Sequence, residues 1–208
     1  MLINCVAYQD GKKLADIPVE DIDQWLLRPG CFVWVALHDA TDEELREMQQ
    51  EFDLHDLAVE DARNGHQRPK IEEYAATLFV VMKLPELRQG ELVNGEVAIF
   101  VGENFVLSVR NSSQQGFLGV RERCEREPEH LKQGAGFVLY ALMDAVVDRY
   151  FPILDALETD LEQIEDQIFD RGAARLNIQR LYDLKRRVTV LRHVVSPLLE
   201  VAGKLHGG

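Results

Sequence analysis

The chain has few cysteines, no net positive charge and no long apolar run, and each shortage excludes a class of protein. Cys5, Cys31 and Cys124 are odd in number, widely spaced and free of any C-x-x-C pair. A secreted disulfide framework is therefore not expected, and the three fit small buried hydrophobes in a reducing, cytosolic setting. Against 36 Asp+Glu stand only 23 Lys+Arg, a formal net charge of −13. That removes the cationic footprint nucleic-acid phosphates require. No stretch approaches the ~18 apolar residues that would mark a membrane span, and the N-terminus lacks the basic and apolar regions of a signal peptide. Also missing are G-x-G-x-x-G, Walker A, G-x-S-x-G and H-E-x-x-H patterns, so no nucleotide, acyl-transfer or zinc-protease chemistry is signalled.

What remains is 46% hydrophobic and 28% charged, the balance of a globular chain with one substantial core, or one domain and an extension. Its first half alternates strand and helix signals. "MLINCVAY" and "CFVWVAL" read as strands, with a short helix in "PVEDIDQWLL" between them. A clearer helix follows in "TDEELREMQQEF", where Thr41 and Glu44 have the spacing of a capping box. "ATLFVVMKL", "GEVAIFVG" and "NFVLSVRN" then predict an antiparallel meander, with turns at Asn94-Gly95 and at the "GEN" of 102–104. The fold class is α/β (α+β): a mixed central sheet with helices packed on both faces.

The second half shows helical spacing only. Met143, Val147, Tyr150, Leu154, Leu157, Leu161, Ile164 and Ile168 recur at steps of three and four, a heptad seam. After a break at Asp170-Arg171-Gly172, a second seam runs through Ile178, Leu181, Leu184, Val188, Leu191, Val195, Leu198, Ala202 and Leu205. The first leg is acidic over 155–170 and the second basic over 171–192. Folding at Gly172 would set one against the other as an antiparallel hairpin. Pro152 and Pro197 should each kink or break their helix. The second seam is still in phase at Leu205, which predicts a helix that continues past Gly208. The expected division is 1–133 for the α/β/α unit and 134–208 for the hairpin and the start of that longer helix.

Candidate chemistry concentrates in "HDLAVEDARNGHQRPKIEEY", residues 55–74. His38-Asp39 and His55-Asp56 do not suit a His-Asp phosphohydrolase, which needs further ligands on a wholly helical scaffold; Asp39 or Asp53 as helix caps is the simpler reading. On a helix starting near His55, Asp61 falls in angle between Leu57 and Ala58, toward the packing side. A carboxylate there requires a cation or a donor: a hard divalent ion with several waters, or a nearby Arg or backbone N–H. Gly65 should end that helix, and "HQRPK" should continue as an extended loop. Asp144 and Asp148 put two acids on one face near the start of the first long helix. The basic run Lys185-Arg186-Arg187 is read as the partner of the acidic leg. No nucleophile, base and orienter fall into a recognisable arrangement, so no enzyme is expected.

Together "HDLAVEDARNGHQRPKIEEY", "FVLYALMDAVVDRYFPIL" and "LKRRVTVLRHVVSPLLEV" resemble the CorA family of divalent-cation (magnesium and cobalt) transport proteins, including its zinc-transporting branch. The resemblance covers nearly the whole chain in order. It implies a homopentamer in the inner (plasma) membrane, with this part on the cytoplasmic side as a funnel. Stalk helices would lead to two membrane helices and a Gly-Met-Asn motif, none of which is in these residues, so this chain should not transport ions alone. It further implies regulatory Mg2+, or another divalent ion such as Co2+ or Zn2+, held between subunits at Glu60, Asp61 and Asp144. The rival expectation is a free-standing adaptor whose helical hairpin binds a partner helix.

Overall fold

In a computed structural model of the chain, residues 1–167 and 174–206 are described. Seven strands form one sheet in the order β2-β1-β3-β7-β6-β5-β4. They are β1 (Leu2–Gln9), β2 (Lys12–Asp16), β3 (Cys31–His38), β4 (Lys70–Tyr74), β5 (Thr77–Arg88), β6 (Glu91–Val101) and β7 (Phe105–Asn111). Every pairing is antiparallel except β3 with β7, where Val33 lies opposite Phe105. The expected mixed sheet is thus present, with two strands that the sequence reading missed. β2 and β4 are short edge strands rich in Lys, Asp and Glu, so they carry little of the apolar alternation that reveals a strand.

Alternation sorts the strand residues onto two cores. Val80, Met82, Val97, Ile99 and Val106 face one, while Phe79, Val81, Ala98, Phe100 and Leu107 face the other. The second core is covered by α1 (Ile22–Leu26), α2 (Asp42–Phe52) and α3 (Asp56–Asn64). The first is covered by α4 (Leu118–Arg126), α5 (Pro128–Leu131), α6 (Ala135–Asp148), α7 (Tyr150–Gln167) and α8 (Ala174–His206). Helices therefore lie on both faces. In α2 the expected capping box forms: the Thr41 side chain accepts from the Glu44 N–H at 3.2 Å, and Glu44 accepts from the Thr41 N–H at 2.8 Å.

Several local expectations are corrected. Asn94-Gly95 is no turn: both residues lie inside β6, paired with Pro85 and Leu84. The β5–β6 turn is Gln89-Gly90, both at positive φ. Gly95 is a glycine because a Cβ there would stand 2.6 Å from that of Ser113. Asp53 ends α2 in the left-handed region and does not cap α3; His55 does. The first heptad seam belongs to two helices, broken at Arg149, so Asp144 and Asp148 lie near the end of α6. Pro152 explains the break. It has no N–H for the carbonyl of Asp148, and it is tolerated in the first turn of α7, where an N–H would be orphaned anyway. By contrast α8 runs unbroken through Pro197.

The hairpin legs α7 and α8 do pair. Asp160 meets Arg187 at 2.5 Å, Arg180 donates to Gln163 and Gln167, and Asn177 donates to the Gln167 carbonyl at 2.7 Å. The predicted turn at Asp170-Arg171-Gly172, Ile168 and the Leu205 side chain lie outside the described residues. All three cysteines are buried and free, as expected, and burial pushes the Cys124 thiol up to about 11.

Candidate metal-responsive edge

The segment that holds Glu60 and Asp61 is fixed at both ends. At its start, His55 in an extended conformation caps α3, its Nδ1 accepting from the Leu57 N–H at 3.2 Å. The imidazole also stacks on Tyr74 of β4, ring centroids 4.4 Å apart, so the helix start is clamped to the sheet edge. Gln49 of α2 adds a 2.6 Å bond to Asp56. At its end Gly65 stops the helix at φ 62, a conformation that favours glycine. The chain then crosses residues 66–69 without regular structure and enters β4 at Lys70. Ala58, Val59 and Ala62 bury one face of α3. Glu60 is exposed, and Asp61 lies at the boundary with its side chain 24% exposed.

The partner that the angular position of Asp61 demands is Lys70. Its Nζ donates to Asp61 Oδ2 and to Glu72 Oε2, each at 2.6 Å. Tyr74 donates its hydroxyl to the same Glu72 oxygen at 3.0 Å. Lys70 and Glu72 are two apart on β4 and share a face, and the ammonium stands 5.6 Å over the Phe79 ring. Partial burial acts to lower the Lys70 pKa, but the bonds to Asp61 and Glu72 outweigh it and hold it above the usual lysine value. Glu72 is held below its usual value, first by the bond from Lys70. Lys204 of α8 adds its positive charge to the same effect and reaches the Ile71 carbonyl at 3.4 Å.

Asp144 lies elsewhere. α6 packs on the opposite core from α3, so the sheet separates Asp144 from Glu60 and Asp61 within one chain. Asp144 accepts from Arg123 Nη2 of α4 at 2.8 Å, and its side chain is 38% exposed. Asp148 is exposed on the rim of a cleft with Arg149, whose guanidinium bonds the Gly116 carbonyl at 2.9 Å and covers the Phe117 ring. Among the described residues no group of three or more His, Cys, Asp or Glu side chains is placed to hold a metal.

The sequence reading missed Lys70, Glu72 and Arg123, which meet the candidate acids directly. The i, i+2 spacing of "KIEEY" carries the signal for the first two, once that run is recognised as a strand. Close by, a cleft of about 290 Å³ is lined by Asn64, Gly65, His66, Lys83, Asn94 and Glu96 among others. Glu96 is buried, its Oε2 is 2.6 Å from Lys83 Nζ, and it also accepts from the Gln67 N–H at 3.0 Å. The loop after Gly65 is thus tied to the sheet through the Gln67 N–H, which donates to the buried Glu96.

Among the described residues no helix is long and apolar enough to cross a membrane. Over 201 residues the chain is 32% identical to the putative metal ion transporter YfjQ of Bacillus subtilis, covering 96% of this chain and 61% of that protein. Over 158 residues it is 33% identical to the cobalt/magnesium transport protein CorA of Thermotoga maritima, covering 74% of this chain and 45% of that one. The chain therefore spans about half to three-fifths of the length of these relatives. Its fold matches the soluble domain of CorA from Methanocaldococcus jannaschii with a TM-score of 0.64 at 18% identity, covering 93% of this chain and 76% of that one. Residues 30–207 match the family model of the CorA-like Mg2+ transporter protein, and the chain belongs to that family.

Proposed function

We propose that the chain is the cytoplasmic metal-sensing and gating part of a longer divalent-cation transport protein of the inner membrane, assembled as a homopentamer. Residues 1–133 form its sensing body and 134–208 its lever. The ion sensed is Mg2+, with Co2+ or Zn2+ as alternatives, and Glu60, Asp61 and Asp144 contribute carboxylates to it. The observation that carries this reading is the separation of the candidate acids. They lie on opposite faces of the sheet, so one chain would offer part of a site on each side and a neighbouring copy would supply the rest. Bound metal would hold copies together and the pore closed; without it Asp61 and Asp144 would fall back on Lys70 and Arg123 of their own chain, and the copies would part and let it open. One or two carboxylates completed by waters suit weak Mg2+ binding, matched to millimolar concentrations. The role is that of a regulator of transport, without chemistry of its own.

The test is sedimentation velocity of the 208-residue chain in millimolar Mg2+ and in chelator. Metal should promote self-association, and Asp61→Asn and Asp144→Asn should each weaken that promotion. Association indifferent to metal and to both substitutions would sink the reading. A second reading, a free-standing adaptor, draws on the exposed Leu176, Ile178, Tyr182, Val188 and Leu199 of α8. It predicts metal-independent capture of a partner helix.

A further inference from the structure

We infer that Lys70 is a built-in competitor for the metal at Asp61, an internal cation that sets how much ion is needed to occupy the edge. This deepens the proposed reading and rests on Asp61 being a metal carboxylate. The ammonium lies at the point where Asp61 Oδ2 and Glu72 Oε2 converge, 2.6 Å from each. A divalent ion taking Asp61 Oδ2 must displace it, because both charges want the same lone pairs and repel at that distance. Displacement is feasible because Lys70 has a second seat. Glu72 stands two residues along the same strand, held by the Tyr74 hydroxyl at 3.0 Å, and it keeps the ammonium paired once Asp61 is lost.

The exchange leaves one carboxylate bonded to the ammonium and gives the other to the metal, so no charge is stranded. It also explains why a half-buried aspartate can serve a weak sensor. Without Lys70, Asp61 and Glu72 would bring two unpaired negative charges to one edge, and the ion would bind there more tightly. The pairing rests on β4 and α3 of one chain, so it forms before any neighbouring copy arrives.

The experiment is an NMR titration of the 208-residue chain with Mg2+, reading the α3 amides and the Lys70 ammonium signal in parallel. Lys70→Met should bind about tenfold tighter, the order expected when one unit charge leaves a half-exposed site a few ångströms away. Lys70→Arg keeps the charge and should bind as the parent does, which separates charge from folding. Adding Asp61→Asn to Lys70→Met should abolish the gain. In the parent, Mg2+ should shift the Lys70 ammonium signal. Unchanged or weaker affinity in Lys70→Met, with Asp61→Asn still weakening binding, overturns the competitor and leaves the proposed function standing. Indifference of binding to Asp61→Asn overturns the proposed function itself. Binding undetectable in the parent and in Lys70→Met alike also overturns the competitor.

Discussion

The sheet and the α7–α8 hairpin are both built from regularly spaced apolar residues, yet the central strands bury theirs far more completely than the hairpin does. Val33, Val35, Val80, Val81, Ile99 and Leu107 have no exposed surface, because helices close both faces. In the hairpin, Ile153, Leu157, Ile164, Leu184, Leu191, Val194 and Val201 are buried, while Leu154, Leu161, Leu181, Val188 and Leu199 are exposed. A heptad repeat identifies an apolar stripe; α7 and α8 bury part of it against each other and the sheet and leave the rest exposed. Periodicity therefore shows what can be buried, whereas the covering element decides what is.

The largest expected effect tests the saturated side. Phe100→Ala should cost about 3–5 kcal/mol, since the sheet between two helical layers cannot collapse onto the hole. Urea unfolding measures it, and a loss below about 1 kcal/mol would mean the two regions are packed alike. Next comes a matched pair on α8. Leu184→Ala, at a buried position, should cost about 2–4 kcal/mol, and Leu181→Ala, 38% exposed, well under about 1. Equal losses would erase the distinction between covered and uncovered stripes. Smaller still, Thr41→Ala should cost about 1 kcal/mol by opening the α2 capping box, read as a shift in urea midpoint at constant m.

Acid sharpens the comparison most gently. Burial would raise the pKa of Glu86 in β5, but bonds from Ser113, Arg88 and the Gln115 N–H prevail and hold it below its usual value. A depressed carboxylate stabilises the fold above its unfolded pKa, and that stability is lost as pH falls through the folded value. Glu86→Gln should remove this part of the acid dependence. Parallel stability-versus-pH curves for Glu86→Gln and the parent would refute the assignment.

Much of the fold was legible because its cues are local. Capping at Thr41 and Glu44, the "GEN" turn and the alternation of β5 to β7 each depend on residues a few positions apart. What escaped was set from a distance. Gly95 invites a turn, yet it serves the approach of Ser113; Gln89-Gly90 turns instead, without the familiar Asn-Gly signature. For Asp61 the angular argument foresaw the need for a partner, and the partner is a lysine on a strand too polar to have been recognised. The distance between Asp61 and Asp144 was beyond spacing arguments, because it depends on which face of the sheet each helix takes.

The lone parallel pairing, β3 with β7, carries a kinetic consequence. β1, β2 and β3 associate through neighbouring segments, and so do β4, β5, β6 and β7, whereas Val33 must find Phe105 across roughly seventy residues. Joining the two halves closes the longest loop in the sheet and buries the centre at a stroke, so it should set the folding rate. Until it forms, the facing edges of β3 and β7 are open to the same strands of another molecule. Concentrated refolding should therefore yield exchanged dimers that share one sheet between two chains.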